Sequence, residues 1–102
     1  MIARIWRGAT RIEDAEAYVE YVRETGLKEY RETPGNQGAW ILWRAVEDRA
    51  EFVTLSFWES EEAVRSFAGD DIDRAVFYPE DDRFLVDRDL TVAHYRVESA
   101  PD

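Results

Sequence analysis

Apolar residues in this chain fall into short blocks near its two ends and in its middle, and recur at helical spacing between the blocks. Ile2-Ala3-Arg4-Ile5-Trp6-Arg7 is rich in β-formers and predicts a first strand that ends at Gly8. Thr10, with Glu13 three residues on, has the form of a capping box. Ile12, Ala15, Val19, Val22 and Gly26 then follow at helical spacing, with Leu27 and Tyr30 behind them, so a long amphipathic helix is expected over roughly residues 12 to 32. Thr33-Pro34-Gly35-Asn36 stops it, because proline cannot continue the hydrogen-bond ladder and glycine permits the exit turn.

Ala39 to Val46 and Glu51 to Trp58 read as a hairpin turned at Glu47-Asp48-Arg49-Ala50. In the returning strand Val53, Leu55 and Phe57 share one face, and Phe52, Thr54, Ser56 and Trp58 share the other. Both faces are largely apolar, so each side of the sheet needs a cover. Ser60 caps a short helix with Ala63, Val64 and Phe67 on its apolar face, ended by Gly69. A second helical segment is expected over Asp71 to Phe77. The last strand is Leu90 to Val97, with Phe84-Leu85-Val86 leading into it or forming a separate piece.

The order β-α-β-β-α-β predicts an α+β fold, the ferredoxin-like arrangement with an antiparallel sheet and helices on one face. Val53, Leu55 and Phe57 are assigned to the helices, and Ile2, Trp6, Phe52 and Trp58 to the open face. A second copy of the same sheet would cover that face, which predicts a homodimer.

Composition narrows the classes. The 102 residues suit one domain, set here at residues 1–98 with a tail at 99–102; at this length folding buries roughly 60–68% of the unfolded surface. The mean hydropathy of -0.54 and the lack of a long apolar run argue against a membrane span. The start lacks the layout of a signal peptide, so the expected location is cytoplasmic. With 23 acids against 13 bases the formal charge is -10, and nucleic acid is not an expected partner. The absence of Cys removes thiolate nucleophiles, Fe–S clusters and cysteine zinc sites.

Trp58-Glu59-Ser60-Glu61-Glu62-Ala63 forms the pattern W-x-S-x-E-A between a strand and a helix, continued by Phe67, Asp70-Asp71 and Ala75. With the opening strand and the Pro34-Gly35 turn, it resembles the antibiotic-biosynthesis-monooxygenase family, over nearly the whole chain from Met1 to about Val97. The resemblance implies a sheet pairing into a dimeric α/β barrel. It also implies a functionally mixed set of relatives, among them oxygenases that use neither metal nor flavin on phenols, anthrones or quinols, and haem-degrading enzymes. The haem-degrading branch carries an Asn, a Trp and a His at positions that correspond by spacing to Arg7, Phe67 and Phe77. Phe cannot replace an axial His, so haem is not expected.

Several side chains are candidates for chemistry. His94, the one histidine, could act as a general acid or base; its ordinary role would be a strand histidine hydrogen-bonded at the seam or wetted at its edge. Arg7 is placed by alternation on the helix-facing side with Ala3 and Ile5, where a charge is costly unless paired or lining a cavity. Arg7, Phe67 and Phe77, with Tyr78, are therefore the expected pocket, against a snorkelling Arg7 as the plain alternative. Asp70, Asp71 and Asp73 read as helix-capping residues rather than a cation site, and Glu80-Asp81-Asp82 as a solvated acidic turn. No metal site and no cofactor are expected. The resemblance implies a cofactor-independent monooxygenase acting on an electron-rich aromatic, with Arg7 or His94 holding the phenolate. The alternative is a non-catalytic dimeric protein of the same fold that binds a small ligand or serves as an interaction protein. A continuous pocket between helices and sheet would favour the enzyme, and a filled interior the binding protein.

Overall fold

The computed structural model describes residues 1–99, so positions 100–102 of the expected tail lie outside the described residues. The elements run β1 (Ile2–Arg11), α1 (Ala15–Glu24), α2 (Gly26–Glu32), β2 (Asn36–Val46), β3 (Arg49–Trp58), α3 (Glu61–Ala68), α4 (Asp81–Phe84), β4 (Leu85–Arg88) and β5 (Ala93–Arg96). The sheet is antiparallel in the order β2-β3-β1-β4. β3 occupies one edge of β1 from end to end, so β4 and β5 share the other edge in tandem, beside Gly8–Thr10 and Ile2–Ile5 respectively. This is the ferredoxin-like α+β arrangement expected from the sequence.

Several boundaries move, each for a reason in the backbone hydrogen bonds. β1 does not stop at Gly8, because β3 offers it partners as far as Arg49. Thr10 is therefore a strand residue and caps no helix; the chain passes through a 3-10 turn at Ile12–Asp14 before α1 begins. The long helix breaks at Thr25, whose N–H and hydroxyl both donate to the Tyr21 carbonyl. Asp71 to Phe77 forms no helix. Its Ala75 N–H donates to the Leu90 carbonyl and its Asp73 carbonyl accepts from Val92, so this strap is stitched to the β4–β5 connection instead. Asp81 is buried rather than solvated, opening α4 and accepting from the Tyr78 N–H at 2.6 Å. Ser60 caps α3 as expected, accepting from the Ala63 N–H. Gly35 stands where no other residue fits: its φ is 90°, and a Cβ there would lie 2.5 Å from the Ala63 Cβ.

The two faces of the sheet are the reverse of the expectation. Ala50, Phe52, Thr54, Ser56 and Trp58 are buried beneath the helices together with Arg4 and Trp6. The small members of that set leave room for α1 and α3 to approach, while the large ones fill the core: Phe52 packs edge-on to Tyr18, and Trp58 meets Tyr30 edge-on and Phe67 at a tilt. Ile5, Val53, Leu55 and Phe57 lie on the side without helices. They are joined there by Trp40, Leu42 and Tyr95, which are 51%, 48% and 57% exposed. Among the described residues no helix is long and apolar enough to cross a membrane.

Candidate functional site

Arg4, near the start of the central strand, is the most unusual polar side chain in the core. It is 2% exposed. Its Nη1 donates to the Ile72 carbonyl at 2.6 Å and to His94 Nε2 at 2.9 Å, and its Nη2 to the Arg74 carbonyl at 3.2 Å. The buried Nε finds no partner. No ion pair among the described residues includes Arg4. Burial lowers its pKa from the ordinary value, with Tyr30 and Asp73 acting in the opposite direction. A guanidinium nonetheless stays protonated, so the core carries a charge that no carboxylate neutralises directly.

Arg4 lines a narrow inner cleft of about 40 Å³ between the sheet and the α1–α2 break. Trp6, Tyr30, Phe77 and Tyr78 form aromatic walls, and Thr25 sits at the break itself. Asp81 also lines it, 5% exposed, with its oxygens engaged by the Tyr78 N–H and, at 3.4 Å, the Tyr18 hydroxyl. Burial raises the pKa of Asp81 above the usual carboxylate range. Burial also raises those of Tyr18 and Tyr78, helped by the neighbouring carboxylates of Asp81 and Glu29, so both phenols stay protonated.

His94 lies opposite Arg4 on β5, and the contact fixes its tautomer. Arginine can only donate, so Nε2 accepts and the proton sits on Nδ1, facing Asp73 Oδ1 at 3.3 Å. Burial lowers the His94 pKa, the Arg4 charge lowers it further, and Asp73 opposes both. The folded chain therefore binds a proton there less readily than the unfolded chain. The resulting stability is present above the unfolded value of about 6.5 and is lost as pH falls through the folded pKa. As the sequence holds one histidine, its imidazole resonance can be followed alone. We expect a titration midpoint below about 6.5, and a flatter stability profile from His94→Gln; a midpoint at or above the free value would disprove the contact.

The residues expected at the site divide between two places. His94 bonds to Arg4, Phe67 has the Arg4 guanidinium 5.8 Å from its ring centre, and Phe77 and Tyr78 line the inner cleft. Arg7 is exposed and lies on the helix-free face, against its expected orientation. There it borders an open cleft of about 700 Å³, with Arg44, Arg49 and Arg88 around Leu42 and Val53. Sequence reasoning missed Arg4 and Asp81. The signal for Arg4 was its phase: it shares a strand face with Trp6, the largest side chain in β1.

Comparison with known proteins shows what this arrangement resembles. No family model matches the sequence, and no curated protein matches it. Solved structures do. A Bacillus cereus protein provisionally named an antibiotic biosynthesis monooxygenase aligns with TM-score 0.70 and 22% identity, over 100% of this chain and 95% of its own. One of the same description from Nitrosomonas europaea aligns with TM-score 0.69 and 17% identity, over 97% of this chain and 100% of its own. The haem degrader MhuD from Mycobacterium tuberculosis, which holds two haems in its active site, aligns with TM-score 0.60 and 17% identity over the full length of both.

The inner cleft offers haem no axial ligand: Phe77 has no ligand atom, and both ring nitrogens of His94 are engaged. Among the described residues no cluster of three or more His, Asp or Glu could hold a metal ion. The chain has the fold of the antibiotic biosynthesis monooxygenase structures.

Proposed function

We propose that this chain is an oxygenase of an electron-rich aromatic, a phenol, anthrone or quinol, that works with protein groups alone. The observation that carries this reading is Arg4: a buried guanidinium without a counter-charge, lining a cleft walled by aromatic rings. A fixed cation in a dry site stabilises a phenolate as it forms. The carbanion in resonance with that phenolate gives an electron to dioxygen. Recombination makes a carbon–oxygen bond, and loss of water from the hydroperoxide leaves a carbonyl, so one oxygen atom enters the product and the other leaves as water. Asp81, raised in pKa and lining the same cleft, suits the role of proton acceptor. A ring-sized substrate enters only if the strap over Arg4 and the break at Thr25 move apart. The test is oxygen consumption with a panel of anthrones and hydroquinones under chelation. Turnover of at least one, with incorporation of labelled dioxygen, supports the reading; none across the panel refutes it.

The closeness of the inner cleft favours a second reading, a non-catalytic protein of the same fold that binds a small ligand. Native mass spectrometry of fresh protein separates the two, since a retained ligand without turnover belongs to the second.

In either reading the working unit is a homodimer. Ile5, Leu55, Phe57, Trp40, Leu42 and Tyr95 form a broad apolar surface that no element among the described residues covers, and a second copy of the same sheet matches it. Light scattering at micromolar concentration is expected to give about twice the chain mass of 12.0 kDa. A stable monomer would rule the pairing out.

A further inference from the structure

We propose that Val76, Phe77 and Tyr78 form the door of the inner cleft, latched by the hydrogen bond from the Tyr78 hydroxyl to Glu29 of α2. The inference rests on the reading that the inner cleft receives the ring of a small aromatic. It states where that ring enters and which contact controls the entry.

Most residues lining the cleft are buried. The half-buried ones are Thr25, Val76, Phe77, Tyr78 and Val92, so the cleft comes nearest to solvent along the end of the strap and at the α1–α2 break. The backbone there is held at two points. The Ala75 N–H donates to the Leu90 carbonyl, and beyond it the Tyr78 N–H donates to Asp81 and the Asp81 N–H to the Tyr78 carbonyl. Between these anchors Val76 and Phe77 make no backbone hydrogen bond among the described residues. Such a segment opens at little cost to the elements on either side.

Tyr78 spans the remaining gap. Its ring lies against Gly26, the first residue of α2, where a Cβ would stand 3.7 Å from the ring Cε2. Its hydroxyl reaches Glu29, further along the same helix. Burial keeps the phenol protonated and able to donate. Glu29 is exposed and water competes for the bond, so the latch holds the door without locking it. The hinge side stays with α1, since the Glu80 N–H donates to the Tyr21 hydroxyl and Asp81 accepts from the Tyr18 hydroxyl.

The chain contains no cysteine, so one introduced thiol reports its own surroundings. Thr54→Cys places it on the sheet at the floor of the cleft, and Val64→Cys, buried in α3 outside the cleft, is the control. The readout is the rate at which each thiolate attacks dithiodipyridine, a neutral disulfide of two rings, and releases thiopyridone. Tyr78→Phe is expected to speed the Thr54→Cys reaction by roughly 2- to 12-fold, the worth of one solvated hydrogen bond. Glu29→Ala should match it, the two changes together should add nothing, and Val64→Cys should not respond. If Thr54→Cys does not fold, Val22→Cys on the helical wall takes its place. A cleft thiol that ignores Tyr78→Phe, or a rise shared equally by Val64→Cys, overturns the proposal. A latch effect on the thiol without turnover of any phenol leaves the door standing and removes the oxygenase. Turnover with the thiol rate unmoved removes the door and leaves the oxygenase.

Discussion

Phe52→Ala will cost about 3–5 kcal/mol of folding stability, and the loss will be the same at every protein concentration. Phe52 is buried against Tyr18 and Trp43 on the helix side of the central hairpin, so its removal opens a cavity inside one protomer. Leu55→Asp, three positions along but on the opposite face, will act differently. It places a charge in the middle of the apolar surface formed with Trp40 and Ile5, where the folded protomer tolerates it and a second sheet does not. Denaturant titrations at two concentrations, run beside light scattering, separate the cases. An effect of Phe52→Ala confined to association, with Leu55→Asp unfolding the protomer, would return the faces to their sequence-based assignment.

Arg4→Met will lower turnover of a responsive phenol by roughly 30- to 1000-fold, the equivalent of about 2–4 kcal/mol of lost transition-state stabilisation. Methionine keeps much of the volume and removes the charge. It also removes the bonds to the Ile72 and Arg74 carbonyls, so some of the loss can come from a loosened strap. Arg4→Lys keeps a positive charge and therefore reports the strap and fork separately. Arg7→Met decides between the two arginines. A large loss there, with Arg4→Met unaffected, would move the chemistry to the open cleft on the other face.

The order and type of the main strands were legible because β-formers and turn residues are local signals. The phase of the sheet was not. Both faces of β3 are apolar, so alternation sorts its residues into two sets without saying which set is inside. The informative contrast was size: Ala50, Thr54 and Ser56 sit among the aromatics on the helix side, and only such a face lets helices approach closely. Arg7 was assigned inward, and Arg4 missed, through this one inversion. Residues 71–77 have a helix-like composition, but their backbone groups are claimed by partners near residue 90 and by Arg4, and no local pattern announces a long-range claim. The buried Asp81 was hidden in the same way, by a tyrosine far earlier in the chain, Tyr18.

Because β4 and β5 share one edge of β1, the strand made first cannot be completed until the segment near residue 95 arrives. The Val97 N–H closes onto the Met1 carbonyl at 3.0 Å. Contacts of such sequence separation are slow to form, since loop closure over most of the chain precedes any gain from them. During synthesis the hairpin of β2 and β3 can form early, while β1 has one edge unpaired and open to other chains. The nearness of Met1 and Val97 also lets a short linker join them and new ends be cut at the Glu47-Asp48 turn. In such a permuted chain β4 and β5 would stand close to β1 in sequence while β2 and β3 would fall at opposite ends, so the long closure would pass from the edge of β1 to the hairpin with the sheet unchanged.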